Sequence, residues 1–282
     1  MPTPRSEVAV VAVGTKVYVI GGLGPRGAGT AVEEYDPEAD TWRQGAPLPI
    51  SLHHTAVVAI GAKVYVVGGF HNGFNPVDVA LEYDTAVDSW RELAPLPTPR
   101  GALGAAVVEG KIYAIGGVGA GGDTGAAEVY DPQTDTWQAR SPMPTPRDHL
   151  ALAALDGRIY VIGGRLGTFA RNLDANEVYD PEVDTWATLS PLPTARSGIA
   201  AAVLRGRIHV FGGEATTGTF AENEAYDPAT DSWRAHAPLP TARHGLGAAA
   251  VGDVIHVVAG GPRPGGSTSA ANEAFTILTA SR

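Results

Sequence analysis

The sequence predicts an all-β protein built as a ring of six repeated sheets, and three observations carry that expectation. Gly-Gly pairs end apolar runs at Gly21-Gly22, Gly68-Gly69, Gly116-Gly117, Gly163-Gly164 and Gly212-Gly213, with Ala259-Gly260 in a sixth place, at spacings of 47 to 49 residues. An aromatic follows in each unit (Tyr35, Tyr83, Tyr130, Tyr179, Tyr226 and Phe275), and seven residues after each Tyr stands one of the five tryptophans, Trp42, Trp90, Trp137, Trp186 and Trp233. The chain carries 36 Gly and 22 Pro yet is 44% hydrophobic, a combination that suits many short strands joined by tight turns and excludes a disordered Gly/Pro-rich chain.

Each unit reads as four strands. The first is short and rich in small residues, as in Gly104-Ala105-Ala106-Val107-Val108, and suits the crowded centre of a ring. The second is apolar throughout, as in Ile112-Tyr113-Ala114-Ile115, which suits a strand covered on both faces by neighbouring sheets. The third ends in Tyr-Asp and the fourth carries the Trp. Between them runs Asp-Pro-x-x-Asp-Thr/Ser-Trp, with Thr85 for Pro in the second unit; Pro fixes φ and Asp bonds to local backbone, so this is a turn. A helical solenoid of similar period would need apolar residues at helical spacing, which are lacking.

The double glycine, the Tyr and the Trp, at this spacing over nearly the whole chain, resemble the signature of kelch repeats. That resemblance implies a six-bladed β-propeller, one four-stranded blade per repeat, in a single domain over 1–282 with blades at about 5–48, 52–96, 100–143, 147–192, 196–239 and 243–279. The last unit ends without a Trp strand, and Met1-Pro-Thr-Pro-Arg5 repeats 143–147, where a Trp strand precedes. The sixth blade is therefore expected to be three-stranded, with an open edge fit for strand addition or dimerisation and no exchange of strands to close the ring.

An Arg stands sixteen residues before the glycine slot at Arg5, Arg100, Arg147, Arg196 and Arg243, and a Glu two before the aromatic at Glu33, Glu128, Glu177, Glu224 and Glu273. The second unit replaces both, with Leu52 and Leu81. Joint loss of opposite charges predicts a buried ion pair inside each of the other five blades.

Composition narrows function. With 30 acidic and 20 basic residues the net charge is −10, and no basic run occurs, so nucleic acid is not an expected partner. No cysteine is present, which removes disulfides, thiolate metal sites and cysteine nucleophiles and leaves the compartment open. Neither a signal sequence nor an apolar stretch of membrane-spanning length is seen, so a soluble chain is expected. Neither a Gly-x-Ser-x-Gly elbow nor a Gly-rich loop opening a helix is found; the runs at Gly117–Gly122 and Gly260-Gly261 read as plain loops.

The kelch resemblance implies that the loops after the double glycine and those leading into the first strand surround one mouth of the channel, and residues that break the repeat there are the candidate binding residues. They are Glu7; His53, His54, Phe70, His71 and Asn72; Asp148, His149, Arg165 and Arg171; Glu214; and His244. Histidines beside an acid are the donor set of zinc and iron sites, but no spacing motif accompanies them. No cofactor or metal is expected; His53, His54 and His71 are the nearest donors should one bind. Asp148 and His149 form an acid/base pair only if they lie outside a strand, where neighbours face opposite ways. His209 and His256 take the place of the second-strand tyrosines and read as packing substitutions.

The expected function is a non-catalytic scaffold that recognises a protein segment or a small polar ligand at the mouth, monomeric or paired through the last blade. Two alternatives stand beside it. One is a sugar-active enzyme, since kelch propellers include sialic-acid mutarotases and galactose oxidases; lack of Cys removes the oxidase's cysteine–tyrosine crosslink. The other is an engineered or excised propeller with no selected ligand.

Overall fold

The computed structural model describes residues 1–277 and is all-β, without a helix among them. Six antiparallel sheets stand around one axis. The first comprises Ala9–Val13, Lys16–Ile20, Val32–Asp36 and Thr41–Gln44, hydrogen-bonded in that order from the centre outward. The next four repeat this arrangement, and the sixth holds Gly247–Val251, Val254–Val258 and Asn272–Thr276, three strands among the described residues. The expected end of that blade at 279 lies outside the described residues. No helix among the described residues is long and apolar enough to cross a membrane.

The core lies between sheets. Second strands are buried, as in Val64, Val66, Ile112, Ile159 and Ile208, each fully enclosed by adjacent blades. Inner strands meet each other about the axis, which is why they are small: a Cβ on Gly104 would collide with Leu152 and one on Gly247 with Val10. His209 and His256 are buried among these layers, against Phe275 and Tyr35, and burial pushes both pKa values down, keeping them neutral packing groups.

All five Arg–Glu pairs form, with the arginine residues at most 1% exposed. Arg147 also donates to the carbonyls of Gly163, Val161 and Thr145, so its charge and its donors are satisfied together. In the second blade Leu52 and Leu81 share one apolar cluster instead.

Blades are clasped at their rims. Each Asp before the Trp sits in left-handed backbone, as at Asp135 with φ 54°, and accepts the hydroxyl of the blade's own Tyr, 2.6 Å from Tyr130. It also accepts the N–H of Ala94 in the preceding blade at 2.9 Å, while Trp137 Nε1 donates to the carbonyl of that same Ala94 at 2.8 Å. The same grip holds Ala46, Ser141 and Ser190.

The first residues close the ring by lying against the sixth blade. Arg5 N–H donates to Ser269 O at 3.0 Å and Gly260 N–H to Arg5 O at 2.9 Å, while Met1 bonds Ala270 O. Val8, Val17 and Val19 then share a cluster with Ala249 and Val258.

Candidate functional site

At one mouth the six segments leading into the inner strands form a closed backbone ring. Each of Glu7, His54, Ala102, His149, Gly198 and Gly245 donates its N–H to the carbonyl of the one before it, at 2.6 to 3.1 Å, and Glu7 completes the circle on Gly245. All six have φ between 51° and 66°, the left-handed region where a side chain costs about 1 kcal/mol or more. Four of them nonetheless carry side chains, which turns Glu7, His54 and His149 toward the axis. Gly245 leaves the room that the Glu7 carboxylate fills, since a Cβ there would strike it. The ring and the residues after it, one pair from each blade, line a cavity of about 90 Å³ whose floor is apolar but for Thr55.

A second tier flanks the ring. The residue before each ring member bridges the residue after each double glycine: Ser6 with Leu23, His53 with Phe70, Gly101 with Val118, Asp148 with Arg165, Ser197 with Glu214 and His244 with Gly261. Arg165 donates to Asp148 at 3.1 Å, to Glu214 at 2.8 Å and to His149 Nε2 at 2.8 Å. Asp148 also accepts from His149 Nδ1, so the two side chains do meet. His149 is in a left-handed bend rather than a strand, which lets neighbouring side chains meet. His244 lies 3.2 Å from Glu7 and 3.5 Å from Glu214, with its Nε2 on the carbonyl of Arg263.

Electrostatics follows from burial and these partners. Burial opposes charge on Glu7, but the surrounding imidazoles outweigh it and hold the carboxyl well below the usual range. Burial drives His54 well down, and burial together with Arg165 brings His149 to about 3, so both rings are neutral at pH 7. His244 goes the other way: burial resists its charge, yet Glu7, Glu214 and the Arg263 carbonyl raise its pKa. Asp123 is pushed up to about 7 by burial and by Asp148 beside it.

Of the residues singled out in the sequence, Glu7, His53, His54, Asp148, His149, Arg165, Glu214 and His244 come together here. The others do not join. Phe70 is 1% exposed and packs beneath the histidines, His71 bonds Ser51, and Asn72 is a turn residue with φ 47° whose carbonyl accepts from Asn75. Arg171 is solvent-exposed on Thr168–Asn172. The donor set also differs from the expected His53, His54 and His71: the geometry groups His54 with Glu7 and His149. Residues not singled out add to the mouth. Asp123 is the only charge in the Gly-rich loop of the third blade, a signal that was there to be read. Asn172 bridges Ser197 and the Glu214 carbonyl. Phe74, 68% exposed, stands edge-on to His53 at 5.1 Å between ring centroids.

Comparison with known proteins agrees with the architecture. Residues 44–191 match the KLHDC2/KLHL20/DRC7 Kelch-repeats domain, and residues 4–49 and 195–240 match the Kelch motif. No curated protein matches the chain. A solved structure described as "Structure of YjhT" superposes with a TM-score of 0.85 at 18% identity, covering 98% of this chain and 96% of that one. At that identity the likeness is one of fold.

Proposed function

The chain belongs to the kelch-repeat family, and from that premise we propose that it is a non-catalytic binding module whose channel mouth takes a small polar ligand, or one polar side chain of a protein segment. Kelch domains generally mediate protein interactions, and their propeller is in general a binding scaffold. One observation carries the more specific reading. Charges of both signs, from Glu7, Asp148, Arg165, Glu214 and His244, form one network beside a cavity that Glu7, His54 and His149 line, and the fold does not need them to build it. The third blade makes the same bridges and the same ring with Gly101, Ala102 and Val118.

A cavity of about 90 Å³ is below the roughly 300–1,000 Å³ of drug-sized sites, which favours an ion or a few polar atoms over a large ligand. Phe74 offers an apolar face beside it for the remainder of the ligand. The chain is taken as a monomer, with pairing through the outer edge of the sixth sheet, three-stranded among the described residues, as the route to a dimer.

A second reading has its own observation. Asp148 fixes the proton on His149 Nδ1, so Nε2 would serve as a base for mutarotase-like acid–base chemistry on a sugar once Arg165, which now donates to it, is displaced by the substrate. A thermal-shift screen of acidic peptides, sugars and divalent cations, run on the wild type and on Glu7→Gln, tests the binding reading. Stabilisation lost in the variant supports the mouth site; stabilisation that survives places binding elsewhere. Silence across the panel leaves a propeller without a selected ligand. Sialic-acid mutarotation, followed by NMR and lost in His149→Ala, would replace the non-catalytic reading with the enzyme.

A further inference from the structure

The hydrogen-bond partners of the histidines fix which ring nitrogen faces Glu7. His53 Nε2 faces the carbonyl of Gly73 at 2.6 Å, and a carbonyl only accepts, so that nitrogen carries the proton. In a neutral ring His53 Nδ1 is then an acceptor, and it contacts Nδ1 of His54, which must therefore be the donor. That leaves the lone pair of His54 Nε2 pointing at Glu7 Oε2, 3.2 Å away. A lone pair and a carboxylate oxygen repel at that distance, and either one proton or one metal cation shared between them makes the contact favourable. His149 reaches the same centre by a parallel route: Asp148 takes the proton of Nδ1, so the lone pair is on Nε2, where it accepts from Arg165.

We infer that Glu7, His54 and His149 form a site for one divalent first-row transition cation of the zinc class. This deepens the reading of the mouth as a binding site and rests on it. Two imidazoles and a carboxylate are a donor set zinc accepts, with ligand atoms about 2.0–2.2 Å from the metal and so roughly 3.2–3.6 Å from one another. The Glu7–His54 separation of 3.2 Å already has that value, and all three donor atoms lie within 4.8 Å of one another. A shift of about 1 Å by the His149 ring completes the set. Behind each imidazole stands the hydrogen-bond acceptor that metal-binding histidines use, Asp148 for His149 and, through its ring, His53 for His54.

The remaining ring positions are Ala102, Gly198 and Gly245, which offer no donor side chain. The cation therefore keeps open positions toward the cavity, where a polar ligand would add its own oxygen or nitrogen. Arg165 is the built-in competitor: its guanidinium donates to the His149 lone pair the metal needs, while also holding Asp148 and Glu214.

The test is Co²⁺ titration of the full chain, read by the visible d–d absorption of the bound ion, with Zn²⁺ displacing it. Saturation at one ion per chain is expected. Loss of a partner behind a ligand costs about 10- to 100-fold in affinity, so Asp148→Asn should fall in that range and Glu7→Gln and His149→Ala beyond it. His236→Gln, remote from the mouth, should bind as the wild type does. Arg165→Leu should bind tighter, a gain that misfolding does not produce. No Co²⁺ spectrum in the wild type, or a spectrum unaltered in Glu7→Gln, overturns the site. If the metal fails while a peptide or sugar still stabilises the wild type and not Glu7→Gln, the mouth reading survives alone. If neither binds, both fall.

Discussion

Arg147 and Glu177 show what a single buried pair does in this ring. The guanidinium is out of contact with water and gives its protons to one carboxylate and three carbonyls. Removing one member of such a pair costs about 3–5 kcal/mol, because the other charge stays buried without a counter-ion. Arg147→Leu should lose an amount of that order in urea denaturation. Arg147→Leu with Glu177→Leu should recover part of it, as Leu52 and Leu81 do natively in the second blade. Recovery stays incomplete because the carbonyls of Gly163, Val161 and Thr145 lose their donor. A double variant no more stable than the single would show that charge pairing is not why the residues occur together. This pairing was legible in the sequence because one blade lost both partners at once. The grouping of Glu7, His54 and His149 was not, since it depends on ordinary side chains held at positive φ, which no residue type announces.

The strand pairs at the blade rims act one step up, as clasps between neighbours. Asp88, Asp135, Asp184 and Asp231 each accept a Tyr hydroxyl and an N–H of the preceding blade, and these bonds hold the carboxyls below their usual pKa. The unfolded chain, with Asp near about 3.9, binds these protons more readily than the folded one. The clasps therefore contribute fully above that value, and their contribution is lost as pH falls from there through the depressed folded values. Urea midpoints from pH 6 down to pH 3 should fall less steeply in Asp135→Asn than in the wild type. Equal slopes would show that this carboxyl does not carry acid sensitivity. In the sequence the Asp-x-Trp segment reads only as a turn. Its second role stayed hidden because the partner, Ala94, is 41 residues from Asp135 and engages through backbone atoms that any residue has.

At the scale of the whole molecule, the repeat decided the blade count and the residues that break the repeat marked most of the mouth, but which of them meet was decided by ring closure. Glu7 reaches His244 only because the first residues bond to the sixth blade. That seam is also where the pseudo-symmetry breaks. Five sheets have a fourth strand bearing Trp, and the sixth has three among the described residues. Phe275 occupies the Tyr position, and beside it a cavity of about 320 Å³ is lined by Phe211, Pro238, Leu239 and Phe275. In the other blades the Trp strand covers the corresponding third strand, with Trp packed on Tyr at 4.8 to 5.1 Å between ring centroids. Joining an Asp-Thr-Trp-bearing strand to the chain should cover this edge with main-chain bonds and buried aromatic area. Each kcal/mol gained is worth about 2–4 °C in Tm for a domain of this class. The fused chain should melt higher than the parent, and the same fusion with Ser in place of Trp should gain less. Because the first residues lean on the same blade, the gain should extend to the Glu7 seam and slow hydrogen exchange at the amides of Arg5 and Glu7. A fused chain that melts with the parent would mean that the edge is already satisfied and that the seam draws no strength from it.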